Sequence, residues 1–178
     1  DVVYDVGAHV GYFSVLMSEL VGAKGRVFSF EPRGINKRFL KKHVTVNDCK
    51  NVEIIDACVG AYSGKARLET RVGTGTGYVS KKGNVEVNMV VLDELIESGR
   101  LPKPDFIKVD VEGGEMNVLK GAENLLDKYR PRMILATHSD ELDMACQEFL
   151  KRYGYKLTDI QQPKGDKEMI AEPAELSA

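Results

Sequence analysis

Asp5-Val6-Gly7-Ala8-His9-Val10-Gly11 is the stretch from which the rest of the chain can be read. Val2-Val3-Tyr4 before it ends an apolar run, and Tyr12-Phe13-Ser14-Val15-Leu16-Met17 after it reads as helix. A strand, a tight glycine turn and a helix start form the nucleotide-cradling unit of an α/β sheet. Glycine lets backbone approach a ligand closely, and a helix N-terminus favours polar or anionic groups. Glu31 closes a second strand-like run, Arg26-Val27-Phe28-Ser29-Phe30, 20 residues beyond Gly11. Folds of this kind place about there the carboxylate that grips a ribose.

The turn reads G-x-x-x-G and lacks the middle glycine of the dinucleotide fingerprint. Asp5, two residues before Gly7, would repel phosphates. It suits a ligand with a cationic end and no phosphate, such as S-adenosylmethionine (SAM), whose amine would lie near Asp5 directly or through water. The plainer alternative is that Gly7 and Gly11 only make a tight strand–helix joint. Glu31 can accept hydrogen bonds from two ribose hydroxyls, and charge-assisted bonds are the strong ones; otherwise it caps the strand before Pro32.

Working outward, the 178 residues fit one domain, 1–178, and 43% hydrophobic residues suffice for a sizeable core. A net charge of −2 gives no global pull toward nucleic acid. Lys37, Arg38, Lys41 and Lys42 read as a solvated helix face, with no stacking aromatics between them. No apolar run approaches the roughly 18 residues of a membrane span. Cys49, Cys58 and Cys146 are odd in number and far apart, as idle thiols of a reducing compartment are, so a cytoplasmic location is expected. The chain opens at Asp1 almost inside a strand, and N-terminal elements are expected to be missing.

The first helix carries Phe13, Leu16, Met17 and Leu20 at helical spacing. A second helix, about Ile35 to Val46, turns Phe39, Leu40 and Val44 inward, and a third strand covers 52–57. From Gly60 to Val91 the alternation breaks. Residues 65–69 and 85–90 alternate apolar with polar, predicting an extra β-hairpin with a mobile Gly73–Gly77 tip. A short helix spans 92–98 and a fourth strand 106–110. A fourth helix from Gly114 buries Val118, Leu119, Ala122, Leu125 and Leu126. A fifth strand covers 133–137, a fifth helix 141–153, and the strands 155–160 and 168–171 close antiparallel through a turn at Pro163 to Asp166. The pattern predicts a mostly parallel seven-stranded sheet with an antiparallel last strand and helices on both faces.

A second rich stretch, Asp110-Val111-Glu112-Gly113-Gly114-Glu115, leaves the fourth strand at the carboxyl edge where ligands of open α/β sheets bind. Gathered carboxylates cap a helix, bind a cation or handle a proton. Capping fits Glu115, and Glu112 less well; Asp110, before the turn, faces the ligand. His138 leaves the fifth strand on the same edge, either as a proton acceptor or as a structural loop residue. Asp110, His138 and Asp140 would be the donor set of a rival, metal-assisted mechanism. His9 shapes the turn, and His43 is expected on a helix surface.

Asp5-Val6-Gly7-Ala8-His9-Val10-Gly11-Tyr12 followed by Phe28-Ser29-Phe30-Glu31-Pro32 resembles the SAM motifs of FkbM-family methyltransferases. Phe106 to Glu115, with Val118-Leu119-Lys120-Gly121-Ala122 behind it, resembles that family's hallmark segment, and Arg130-Pro131-Arg132 and His138 also fit. Gly114 stands where alanine is expected, and Ala136 where members often have glutamate. The resemblance implies a Rossmann-like methyltransferase fold, SAM as donor and a hydroxyl acceptor. It carries cofactor roles onto Asp5, Gly7, Ala8, Gly11 and Glu31, and site roles onto Asp110 and Glu112. Asp56-Ala57 fits the place of the adenine ring, or is a plain strand terminus. The expectation is a SAM-dependent O-methyltransferase acting on a small molecule or glycan, with Asp110, Glu112 or His138 as base and no assigned metal ligands. A non-catalytic SAM-binding module is the rival of another class. A nicotinamide-dependent oxidoreductase is disfavoured by Asp5.

Overall fold

The computed structural model describes residues 1–70, 77–160 and 167–174. The expected loop tip, apart from Gly77, and the turn at 163–166 lie outside those residues. In chain order the elements begin with β1 (Val2–Val6), α1 (Tyr12–Val21), β2 (Arg26–Phe30), α2 (Gly34–Val46) and β3 (Val52–Ile55). Next come β4 (Cys58–Val59), β5 (Gly64–Thr70), β6 (Gly77–Val79), β7 (Val85–Val90) and α3 (Leu92–Glu97). The chain continues through β8 (Phe106–Val109), α4 (Glu115–Lys120), α5 (Glu123–Lys128), β9 (Arg132–Thr137), α6 (Asp140–Arg152), β10 (Tyr155–Ile160) and β11 (Lys167–Pro173).

The main sheet has seven strands in the order β10-β11-β9-β8-β1-β2-β3. β3, β2, β1, β8 and β9 run parallel, in register Asp5 to Ser29 on one side of β1 and Asp5 to Lys108 on the other. β11 enters between β9 and β10, antiparallel to both, so the antiparallel last strand is internal and not an edge. Alternate residues of the central strands serve opposite faces. Val3 and Val27 pack on Met17 of α1, while Tyr4, Val6, Phe28 and Phe30 share a larger core with Leu92, Leu119, Leu126 and Leu150 of the other helices. Tyr4 is fully buried with its ring edge-on to Phe28 and Phe30, and its hydroxyl donates to Pro102 O at 2.6 Å. A buried phenol needs such a partner.

The extra hairpin is larger than expected. β4 and β7 pair in parallel, β5 joins β7 and β6 joins β5, giving a second sheet of four strands with its own core of Ala66, Leu68, Val87 and Met89. The two-residue β4 is too short to signal itself by alternation. The fourth helix is two, α4 and α5. They part at Gly121, where a Cβ would stand 2.1 Å from Gly60 O, and all five of its expected core residues are buried. The inward faces of α1 and α2 differ from the periodicity. Phe13, Leu16, Leu20 and Phe39 are exposed, whereas Met17 and Leu40 are buried as expected, and α1 also buries Ser14 and Ser18. Two serines can be buried there because each has a polar partner. Among the described residues no helix is long and apolar enough to cross a membrane.

Candidate active site

The glycine turn is fixed by what surrounds it. Gly7 has φ +84, and a Cβ there would stand 1.8 Å from the Asp110 carbonyl oxygen. Gly11, at φ +92, would put a Cβ 2.4 Å from Leu40 Cδ1. Both glycines therefore answer to close packing of the turn against β8's exit and α2. Phe30 O accepts from Gly7 N and Ala8 N at 3.2 and 3.0 Å, tying the turn to β2. His43 is half-buried and not a surface residue: its Nδ1 lies 2.7 Å from Val10 O.

Asp5 is fully buried. Its Oδ2 accepts from Ser14 Oγ at 2.6 Å, Ser14 Oγ in turn accepts from Ser29, and its Oδ1 lies 3.5 Å from Lys108 Nζ. Asp5 thus faces Lys108 inside the protein and does not line the cavity at the sheet edge. Lys108 was not singled out by sequence; in the pattern Ile107-Lys108-Val109 it reads as an interruption of a buried strand, and that interruption was the available signal. Its Nζ donates to Gly7 O at 3.0 Å, lies 3.5 Å from Asp110 Oδ2 and sits over the Phe13 ring at 5.1 Å. One buried ammonium therefore joins the glycine turn to Asp110.

A cavity of about 220 Å³ opens at the carboxyl ends of the central strands. Gly7, His9 and Glu31 line one part of it, Asp110 and Glu112 another, and Leu68, Gly77 and Val79 of the second sheet a third. Ala8, Gly11, Asp56 and Ala57 are not in the lining. Asp56 instead pairs with Lys37, which is therefore not a free surface cation, and Cys58 and Val59 occupy the wall beyond β3. Burial pushes the Cys58 thiol up to about 11, so it faces the cavity as a neutral thiol.

Glu31 is 5% exposed. Its Oε2 accepts from His9 N at 2.9 Å, and its Oε1 from Arg33 N at 2.8 Å and Asn36 Nδ2 at 3.3 Å. His9 holds a left-handed φ of 51 that aims its N–H at this carboxylate. Burial raises the carboxyl's pKa, and the bonds from Arg33, His9 and Asn36 pull it back only in part. A carboxylate has about four acceptor directions. Three are taken, so a full grip on two hydroxyls would displace the longest bond, that of Asn36.

On the opposite side, Glu112 adopts a left-handed φ of 57 and Gly113 follows at 100, folding the segment back over the end of β9. His138 Nε2 lies 3.6 Å from Asp110 Oδ1 and 3.6 Å from Glu112 Oε2, and Nδ1 lies 3.0 Å from Glu115 Oε1. His138 itself is outside the cavity lining. Glu115 is fully buried and also accepts from Gly113 N at 3.0 Å. Burial works to raise its pKa, but the bonds from His138, Gly113 and its own N–H prevail and hold it low. Glu115 is thus more than a helix cap, which sequence alone did not distinguish. Asp140 is exposed and paired with Lys167 at 2.8 Å, so the trio that the rival metal-assisted reading would draw from Asp110, His138 and Asp140 does not form. Among the described residues, donor atoms of Asp110, Glu112 and His138 lie within 4.8 Å of one another.

The family model described as the methyltransferase FkbM domain matches residues 5–157. Hexuronic acid methyltransferase AglP of Haloferax volcanii is 35% identical over 130 residues, covering 71% of this chain and 52% of that protein. The chain thus spans about half the length of this curated relative. Methyltransferase FkbM from Methylobacillus flagellatus superposes with a TM-score of 0.69 at 21% identity, over 95% of this chain and 42% of that one. Aeropyrum pernix fibrillarin with natively bound S-adenosyl-L-methionine superposes with a TM-score of 0.62 at 18% identity, over 96% of this chain and 66% of that one. Likeness to the two solved structures is a statement of fold.

Proposed function

The chain belongs to the FkbM methyltransferase family, and from that premise we propose that it transfers the methyl group of SAM to a hydroxyl of a hexuronic acid unit in a glycan. The observation that carries this reading is a cavity with Glu31 on one side and Asp110 and Glu112 on the other. Glu31 grips the ribose, and the turn from Gly7 to Gly11 supports the rest of the cofactor. Asp5, being buried, acts through Lys108 and Ser14 and does not contact the amine. The expected roles of Asp56 and Ala57 pass to the neighbouring cavity wall, where Cys58 and Val59 offer an apolar seat for a ring.

SAM's sulfonium needs little activation. The protein must hold the acceptor oxygen in line with the methyl group, and such positioning can be worth roughly 7–11 kcal/mol of barrier. Asp110 and Glu112 line the cavity and take the proton that the hydroxyl gives up. A hexuronic acid offers a second nucleophile, its own carboxylate, which carries no proton to remove. The gathered carboxylates of this site repel that anion and suit an acceptor that must lose a proton, so the hydroxyl is the reading supported. The Haloferax relative's name supplies the sugar class.

Calorimetric titration with SAM, S-adenosylhomocysteine and NAD should show binding of the first two and none of the third. Methyl-labelled SAM should then transfer label to oligosaccharides containing glucuronic acid, in a bond that survives mild alkali. Alkali-labile label would make the product an ester and sink the hydroxyl reading. Binding of SAM without transfer to any such acceptor would favour a non-catalytic module. Turnover silenced by a chelator and restored by magnesium would replace the metal-free mechanism with a metal-assisted one.

A further inference from the structure

We propose that Lys108 is a positioning residue of the transfer: its side chain ties the glycine turn that supports the cofactor to Asp110, so that filling the turn sets where the Asp110 carboxylate stands. The inference rests on the methyl-transfer reading for its purpose. Lys108 lies opposite Asp5 in the pairing of β8 with β1. Asp110 N donates to Val6 O at 3.0 Å, which carries the ladder one residue past β8. Strand side chains alternate between faces, so Lys108 and Asp110 stand on the same face of the sheet as Asp5. That is the face covered by α1, where Val3 meets Met17. Phe13 of α1 lies over the ammonium, its ring centroid 5.1 Å from Nζ and within cation–π range. The partly exposed Phe13 thereby covers Lys108, whose own side chain is 8% exposed.

A counter-ion for Asp5 would be the plainer role, and the geometry argues for more. An ammonium has three hydrogens to donate. Here the hydrogen bond goes to Gly7 O at 3.0 Å, and Nζ stands 3.5 Å from Asp5 Oδ1 and 3.5 Å from Asp110 Oδ2. Among the described residues Asp5 Oδ1 accepts no hydrogen bond, so Lys108 is not drawn in to satisfy that oxygen. A side chain that served only Asp5 would also have no reason to stand equally near a carboxylate that is 38% exposed at the cavity edge. Burying an ion pair is in any case weak grounds for stability, since an apolar pair of similar volume often does as well. The turn and Asp110 also meet directly, for a Cβ at Gly7 would stand 1.8 Å from the Asp110 carbonyl oxygen. Backbone packing fixes the strand end, and Lys108 fixes the carboxylate beyond it. Lys108 reaches neither cofactor nor acceptor itself and acts through Asp110.

The test compares Asp5→Asn, which keeps Lys108 beside Asp110, with the double variant Asp5→Asn, Lys108→Met. Both lack the Asp5 charge, so a difference between them belongs to Lys108 alone. On an oligosaccharide that the wild type methylates, at saturating SAM, the double variant should fall about a hundredfold below Asp5→Asn in kcat, as misplacing a reacting group by about 1 Å does. Equal kcat would make Lys108 a counter-ion only and overturn the proposal. Adding Asp110→Asn should then cost far less in the double variant than in Asp5→Asn, because residues that act through one group are not additive; strict additivity would also overturn it. Should the double variant not fold, Lys108→Gln on the Asp5→Asn background takes its place with the same expectations. Carbon NMR of carboxyl-labelled aspartate needs no acceptor. The Asp110 side-chain resonance, assigned by its loss in Asp110→Asn, should differ between the two variants. It should move further in Asp5→Asn than in the double variant when S-adenosylhomocysteine, which carries no sulfonium charge, is added. An equal shift in both would overturn the coupling, and identical resonances without ligand would overturn the tie itself. A wild type that binds SAM but methylates no acceptor would remove the methyl-transfer reading and leave these resonances to decide for or against Lys108.

Discussion

Glu31 joins the polypeptide to its cofactor in this reading, and three donors hold its carboxylate before any ligand arrives. Removing it in Glu31→Ala should lower SAM affinity at least tenfold with the fold intact, since bonds to a charged group are worth roughly 1.5–3 kcal/mol each. Unchanged affinity in the titration would reduce it to a strand-end residue. Its pH behaviour has a definite sign. Burial raises its pKa, so its contribution to stability is fully present below the ordinary carboxylate value and is lost as pH rises through the raised one. SAM binding runs the other way, because the hydroxyls need the carboxylate, and affinity should fall as pH is lowered through that same range. Lys108 is the second residue whose loss should be felt far from its own atoms. Its side chain is 8% exposed beside an Asp5 that is 0% exposed. Breaking a buried pair by removing one partner costs about 3–5 kcal/mol, so Lys108→Met should unfold at markedly lower denaturant than the wild type. Lys108→Met with Asp5→Asn should recover part of that loss. A Lys108→Met protein as stable as the wild type would show that Asp5 does not depend on it.

At the scale of elements, the joint of β1, α1 and α2 turns on Gly11 and Leu40. Gly11→Ala adds a Cβ into Leu40 and forces a left-handed φ of 92 on a residue with a side chain, so it should destabilise the protein. Leu40 is fully buried, and Leu40→Ala alone should cost about 2–5 kcal/mol. The double variant should be more stable than the two losses added, because truncating Leu40 makes room for the new methyl. Strict additivity in denaturant melts would place the cost of Gly11→Ala in the backbone alone. The same joint shows what was legible in the sequence and what was not. Strand, turn and helix followed from Val2 to Met17, as did the whole parallel sheet, because buried central strands write continuous apolar runs. The inward face of α1 did not follow, because Ser14 and Ser18 are buried by polar partners that come from β1 and from Asn51, which helical spacing cannot reveal. Glu31, Asp110 and Glu112 were legible as candidates from their places at and just beyond strand ends, and all three line the cavity. The pairing of Asp5 with Lys108, and of Glu115 with His138, was not, since each joins segments far apart in the chain.

On the scale of the whole molecule, the cavity belongs to both sheets. The main sheet supplies its chemistry through Gly7, Glu31 and Asp110, whereas Leu68, Gly77 and Val79 of β5 and β6 close it from the side. The second sheet reaches the main one through β4, which directly follows β3, and Gly60 just past β4 meets Gly121 between α4 and α5. A ligand that touches both walls links their opening equilibria. A ligand binding only the folded state stabilises it by about 2.7 kcal/mol at a hundred times its Kd. If the cofactor lies where Glu31 and Cys58 can both reach it, amide exchange should slow on SAM binding around Gly7 to Glu31 and also along β5 and β6. S-adenosylhomocysteine should give the same pattern, since it lacks only the methyl group. Protection confined to the main sheet would make the second sheet a bystander to the cofactor and leave its wall for the acceptor. That outcome has its own check. Adding a glucuronic acid oligosaccharide to the SAM complex should then extend protection to β5 and β6, and exchange unchanged by both ligands would exclude the second sheet from the site.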